Sequence, residues 1–134
     1  MKKPHFVFDS FALLAFFQAE SAALKVKEIL KRARNEDAVV LLSAINLGEI
    51  LYTVERKLGR AISEETWHDV MGLPLKVIEV TMDRVLSAAH IKGSFPISYA
   101  DAFALALAQE VGGTLVTGDP EFKRVESLVG ILWL

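Results

Sequence analysis

The chain has 134 residues, enough for one domain with a sizeable core, and it contains no cysteine. That excludes disulfides and thiolate metal sites and is compatible with the cytoplasmic location expected for it. With a formal net charge of −2 and 24% charged residues, overall basicity cannot drive nucleic-acid binding, so any polyanionic ligand would need local positive charge.

Lys2-Lys3 and the apolar stretch to Phe17 imitate a signal peptide. Asp9 and Ser10 interrupt the stretch and no small-x-small cleavage site follows, so a strand over 5–8 and a following helix are expected instead. A second helix carries Ala22, Ala23, Val26, Ile29, Leu30 and Ala33 on one face, with Lys25, Lys27, Glu28, Lys31 and Arg32 outside it. The apolar run 38–42 is the second strand. Ser43 then caps a helix whose inner face is Leu47, Ile50, Leu51, Val54 and Leu58. Ser63 ahead of Glu64-Glu65 suits another helix start. A third strand is expected at 76–80. Thr81 caps the next helix, with Met82, Val85, Leu86 and Ala89 turned inward.

Ser98-Tyr99-Ala100-Asp101 has the spacing of a capping box. The helix that follows is apolar almost all round until Gln109-Glu110, so it should be deeply buried, and Gly112-Gly113 ends it. A fourth strand at 114–117 follows directly. Asp119-Pro120 opens a short helix with proline at its first position, and a run at 131–133 gives a fifth strand. Valine, isoleucine and leucine dominate most of these runs, as in strands buried on both faces. Strands alternating with helices specify a single α/β domain over 1–134. It is a three-layer sandwich with a central, mostly parallel sheet of four to five strands flanked by helices.

Asp9 and Asp119 each close a strand, and in an open parallel sheet ligands bind outside the carboxyl ends of the strands. Asp101 lies in the first turn of the most apolar helix. Glu49 shares a helix face with Asn46, Thr53 and Arg56, about 200° from Leu47, and so points away from the core. Each acid also has a purely structural role open to it: Asp9 and Asp119 as helix caps, Asp101 at the N3 position of a capping box, Glu49 as an exposed helix residue. If they converge, two carboxylates about 5 Å apart repel by roughly 3 kcal/mol at an effective dielectric near 20. The group would then raise its pKa values or recruit a hard divalent cation such as Mg²⁺ or Mn²⁺. Ser10 and Thr117 are placed to hydrogen-bond a ligand carboxylate or a bound water. The histidines, His5, His68 and His90, lack ligand spacing and read as surface or boundary residues.

Strand-Asp9-Ser10, Asn46-x-x-Glu49, Ser98-Tyr99-Ala100-Asp101-Ala102 and Thr117-Gly118-Asp119-Pro120-Glu121-Phe122 resemble, in order and spacing, the acidic motifs of the PIN domain. Together with the chain length they are most similar to VapC-type toxins of toxin–antitoxin pairs. The resemblance covers essentially the whole chain. It implies a Mg²⁺- or Mn²⁺-dependent endoribonuclease, usually a homodimer, restrained by a small antitoxin. It also implies Asp9, Glu49, Asp101 and Asp119 as the catalytic quartet, with Asp9, Asp101 and Asp119 on the metal. Glu121, just before Phe122, is an auxiliary acid. Competing classes are a PIN-domain nuclease of RNA processing and a non-catalytic partner-binding module. A phosphatase of the haloacid-dehalogenase type is disfavoured, because its second aspartate would fall on Phe11. Arg56, Arg60, Lys123 and Arg124 are candidate phosphate contacts. Phe11, Leu14, Phe17, Trp67 and Trp133 are candidates for an apolar interaction surface, with core packing as their competing role.

Overall fold

The computed structural model describes residues 2–134. Five strands form the sheet: β1 (His5–Phe8), β2 (Val39–Ser43), β3 (Lys76–Ile78), β4 (Thr114–Thr117) and β5 (Gly130–Trp133). Their spatial order is β3-β2-β1-β4-β5, and every pairing is parallel. The expected mostly parallel sheet is therefore wholly parallel, and 131–133 is a genuine edge strand. The chain leaves β1 towards β2 and later returns to β4 on the other side. The strand order thus reverses at β1, and a crevice opens between the carboxyl ends of β1 and β4.

Six helices cover the two faces: α1 (Ser10–Phe17), α2 (Ala23–Arg34), α3 (Ala44–Leu58), α4 (Arg60–Met71), α5 (Met82–Ser94) and α6 (Tyr99–Val111). Side chains alternate across a strand. Phe6, Phe8, Val40, Leu42 and Val116 accordingly join a core with α1, α2, α3 and Val70 of α4. Val7, Leu41 and Leu115 join a second core with α5, α6 and Phe122. This is the three-layer sandwich the sequence specifies, and α6 is its most enclosed helix, buried from Asp101 to Ala108. Gly112 ends α6 at φ 61, a left-handed conformation that glycine adopts without strain.

Four sequence expectations need correction. Helix α4 starts at Arg60, directly after Gly59 at φ 92, and not at Ser63. Ser63 is buried one turn in, and its hydroxyl donates to the Leu51 carbonyl at 2.9 Å, tying α4 to α3. In α5 the face towards α6 is Val85, Ala88 and Ile91, while Met82 and Leu86 are 71% and 60% exposed and Ala89 is also outside. The inward stripe is thus the one spaced 85, 88 and 91, and the residues beside it face out. Leu58 is likewise exposed, because α3 runs past the sandwich at its last turn. The third strand stops at Ile78, short of the expected 80, since β3 is the sheet edge. Of the aromatic and apolar candidates for an interaction surface, Leu14, Phe17 and Trp133 pack on the cores and Trp67 is exposed.

Candidate metal and catalytic site

Asp9 follows β1 and is 1% exposed. Its Oδ1 accepts the Ala12 amide at 2.9 Å and so caps α1. Its Oδ2 accepts the Thr117 hydroxyl. Thr117 ends β4, and its Oγ1 in turn accepts the Asp119 amide at 3.0 Å. One threonine therefore joins the two strand ends and their acids across the crevice. Asp119 caps the 3-10 turn Pro120–Val125, its Oδ1 accepting the Glu121 amide at 2.9 Å. The backbone between them must pass close to α1: a Cβ on Gly118 would lie 2.3 Å from Cε1 of Phe11. Glycine is needed there to let the β4 end sit against the residue after Ser10.

Asp101 enters from α6. Its amide is capped by Ser98 Oγ at 3.1 Å, as the S-x-x-D spacing specifies. Its carboxylate is turned into the crevice: Asp101, Asp119 and Glu121 each offer an oxygen, all within 4.8 Å of one another. Glu49 enters from α3, half-buried, with Oε1 accepting the Ser10 hydroxyl. It does point away from the α3 core face, but towards α1 rather than out to solvent. The four acids singled out from the sequence thus come from four elements, and Glu121, expected as an auxiliary, is part of the tightest carboxylate group.

In the sequence Asn46 belongs to the Asn46-x-x-Glu49 motif but has no role of its own. It is fully buried, and its Nδ2 donates to the Ala100 carbonyl at 3.2 Å, linking α3 to the first turn of α6. Its Oδ1 is the one buried side-chain polar atom without a hydrogen-bond partner among the described residues. An amide in the first turn of a helix reads as a local capping group, which hides this role. The usable signal was position: Asn46 lies between the core face and the Glu49 face, where an unpaired polar group is costly.

Burial drives the electrostatics. Asp9 is pushed up to about 7, first by desolvation, then by the nearby Asp101 and Asp119 charges, against the hydrogen bonds from Thr117 and Ala12. Asp101 is raised to about 6, again chiefly by desolvation, with Asp119, Glu49 and Glu121 adding to it and the Ser98 hydrogen bond opposing it. Anionic oxygens held close, one of them almost dry, and a nearby orphaned acceptor fit a hard, oxygen-liganded divalent cation and its waters.

The PIN domain family model matches residues 6–128, and the chain belongs to that family. Among solved structures, VapBC2 of Rickettsia felis, bound to a promoter DNA fragment, is similar at TM-score 0.74 and 14% identity, with 97% of this chain and 98% of that chain covered. DNA-bound VapBC of Salmonella typhimurium gives 0.73 and 18%, covering 96% and 97%. The Mycobacterium tuberculosis toxin VapC20, described as cleaving the sarcin–ricin loop, gives 0.71 and 20%, covering 90% and 94%. No curated protein sequence matches significantly.

Proposed function

We propose that this protein is a Mg²⁺- or Mn²⁺-dependent endoribonuclease, the toxin of a toxin–antitoxin pair. The observation that carries this reading is the convergence of Asp101, Asp119 and Glu121 beside the buried Asp9 at the carboxyl edge of a parallel sheet. Asp101, Asp119 and Glu121 would hold the cation, with Asp9 as a further carboxylate from the β1 end. When bound, the cation neutralises phosphate charge and lowers the pKa of a water for attack on phosphorus. Thr117 keeps Asp9 and Asp119 in register, and Ser10 orients Glu49 as the fourth catalytic carboxylate. Water is the nucleophile in this reading, so no protein nucleophile is required.

Two features of the similar structures support the toxin assignment. Several are toxin–antitoxin complexes, and one is a toxin described as cleaving the sarcin–ricin loop. An antitoxin partner, a homodimer and a cytoplasmic location follow as parts of the same proposal; among the described residues no helix is long and apolar enough to cross a membrane. RNA cleavage with Mn²⁺, abolished by EDTA and by Asp9→Asn, is the expected result. Equal cleavage by wild type and Asp9→Asn would refute it.

A further inference from the structure

Helix α3 carries more than Glu49 on the face that presents Glu49. At 100° per residue, Arg56 falls within about 20° of Glu49 around the helix, and Tyr52 within about 60°. They lie about 4.5 Å (Tyr52) and 10.5 Å (Arg56) further along the axis. Tyr52 is 49% exposed, a large share for an aromatic residue. The Arg56 guanidinium lies over its ring, 4.9 Å from the centroid. Helix α4 is fastened to the other side of α3, through Ser63 and the Leu51 carbonyl, so it does not cover this row.

Three other arginines are engaged. Arg60 pairs with Glu64, Arg84 with Glu110, and Arg124 donates to the Pro96 carbonyl. Arg56 makes no ion pair and no hydrogen bond among the described residues, and its guanidinium rests over the Tyr52 ring. Lys123 is also unpaired, but no aromatic face orients it among the described residues. A site of five acids must still bring a polyanion close. A guanidinium on the same helix face as Glu49 supplies the charge, and an exposed ring beside it supplies a stacking surface.

We propose that Tyr52 and Arg56 form a platform that binds single-stranded RNA next to the scissile bond, Tyr52 stacking a base and Arg56 engaging the adjoining phosphate. This rests on the nuclease reading above for its place in catalysis. Base–aromatic stacking is sequence-tolerant, and arginine adds a bidentate phosphate contact. Both are positioning residues: they change how substrate is held, not the chemistry at phosphorus.

The test uses the full chain and a fluorescein-labelled mixed-sequence RNA 20-mer. Binding is read by anisotropy in EDTA at low salt, and cleavage by steady-state kinetics with Mn²⁺. Tyr52→Ala should weaken binding and raise KM on the order of 10-fold with kcat unchanged, and Tyr52→Phe should restore both. Arg56→Ala should lower the slope of log K against log salt by about 0.7, the share of one phosphate contact on a single strand, while Arg56→Lys keeps the slope but not the full affinity. Melting curves confirm that each variant folds. Unchanged RNA binding and KM in Tyr52→Ala, or an unchanged salt slope in Arg56→Ala, overturns the proposal. If wild type binds RNA and the variants lose binding as stated, but no metal-dependent cleavage occurs, the platform stands and the nuclease reading falls.

Discussion

Replacing Asp9 by asparagine should make the metal-free protein more stable at alkaline pH and leave it no more stable in acid. An ordinary aspartate loses its proton near 3.8, whereas Asp9 loses it near 7. A carboxyl whose folded pKa is raised stabilises the fold below its unfolded pKa, and loses that contribution as pH climbs through 3.8 to 7. Above pH 7 the ionised Asp9 therefore destabilises the metal-free fold by roughly 4 kcal/mol relative to its protonated form, as an order of magnitude. Asparagine has no charge to desolvate, and its carbonyl still caps α1 at Ala12. It cannot accept from Thr117 and at the same time offer a donor there, so about 1–2 kcal/mol of the hydrogen bonding at Oδ2 is forfeited.

The net gain at pH 8 is then about 2–3 kcal/mol, or on the order of 10 °C in Tm for a chain of this length. Thermal melts in EDTA at pH 4, 6 and 8 read it directly. The difference between variant and wild type should vanish or reverse at pH 4 and grow towards pH 8. Adding Mn²⁺ should raise the wild-type Tm by mass action and leave the variant nearly unmoved. A pH-independent difference, or a variant less stable than wild type at pH 8, would show that Asp9 is not held against its own charge.

Cation binding should displace protons from Asp9 and Asp101. With protons lost near 7 and 6, about one to one and a half are released per ion at pH 6 and close to none at pH 8, which calorimetry in buffers of different ionisation enthalpy measures; equal release at both pH values would count against it. Asn46→Ala should lower Mn²⁺ affinity by about 10- to 100-fold, since it removes both the orphaned acceptor and the tie to Ala100; an unchanged calorimetric affinity would make Asn46 purely structural. Gly118→Ala should destabilise by about 1–3 kcal/mol in a denaturant titration, because its Cβ drives into the Phe11 ring. It should also weaken Mn²⁺ binding, as the displaced ring sits next to Ser10.

The layers were readable because each strand or helix announces itself locally. Phe6-Val7-Phe8 and Leu115-Val116 alternate between two cores, and the buried α6 shows its lack of a polar face. What failed was decided by packing between elements. Met82 and Leu86 satisfy the helical period as well as Val85 and Ile91 do, and only the packing of α5 on α6 shows which stripe turns in. Ser63 looks like a cap until Gly59 starts the helix a turn earlier. The site followed the same division. The positions of Asp9, Asp101 and Asp119 at element ends are local facts. The inclusion of Glu121 in the tightest carboxylate group, and the bridge through Thr117, depend on how β1, β4 and α6 meet.

For the three aspartates, capping and the proposed chemistry need not be alternatives, because the capping bonds also restrict the carboxylates. Asp9 can present Oδ2 to the crevice edge because Oδ1 is fixed by the Ala12 amide. Asp119 has one oxygen tied to Glu121 N–H, which limits how its carboxylate can turn. Asp101 has its backbone amide satisfied by Ser98, so its carboxylate need not fold back to the helix terminus. A capped acid is a pre-aimed ligand, with its rotamer restricted before a cation arrives. Asparagine caps about as well as aspartate but lacks the charge. Aspartate-to-asparagine changes at Asp9 and Asp119 therefore separate the two roles, and the fold should survive them while cation binding does not. Alanine at Asp9, which removes the cap as well, should lose on the order of 1 kcal/mol more stability than asparagine in EDTA at every pH. If alanine and asparagine melt together, the cap contributes little to holding α1, and the aiming of Asp9 must come from Thr117 alone.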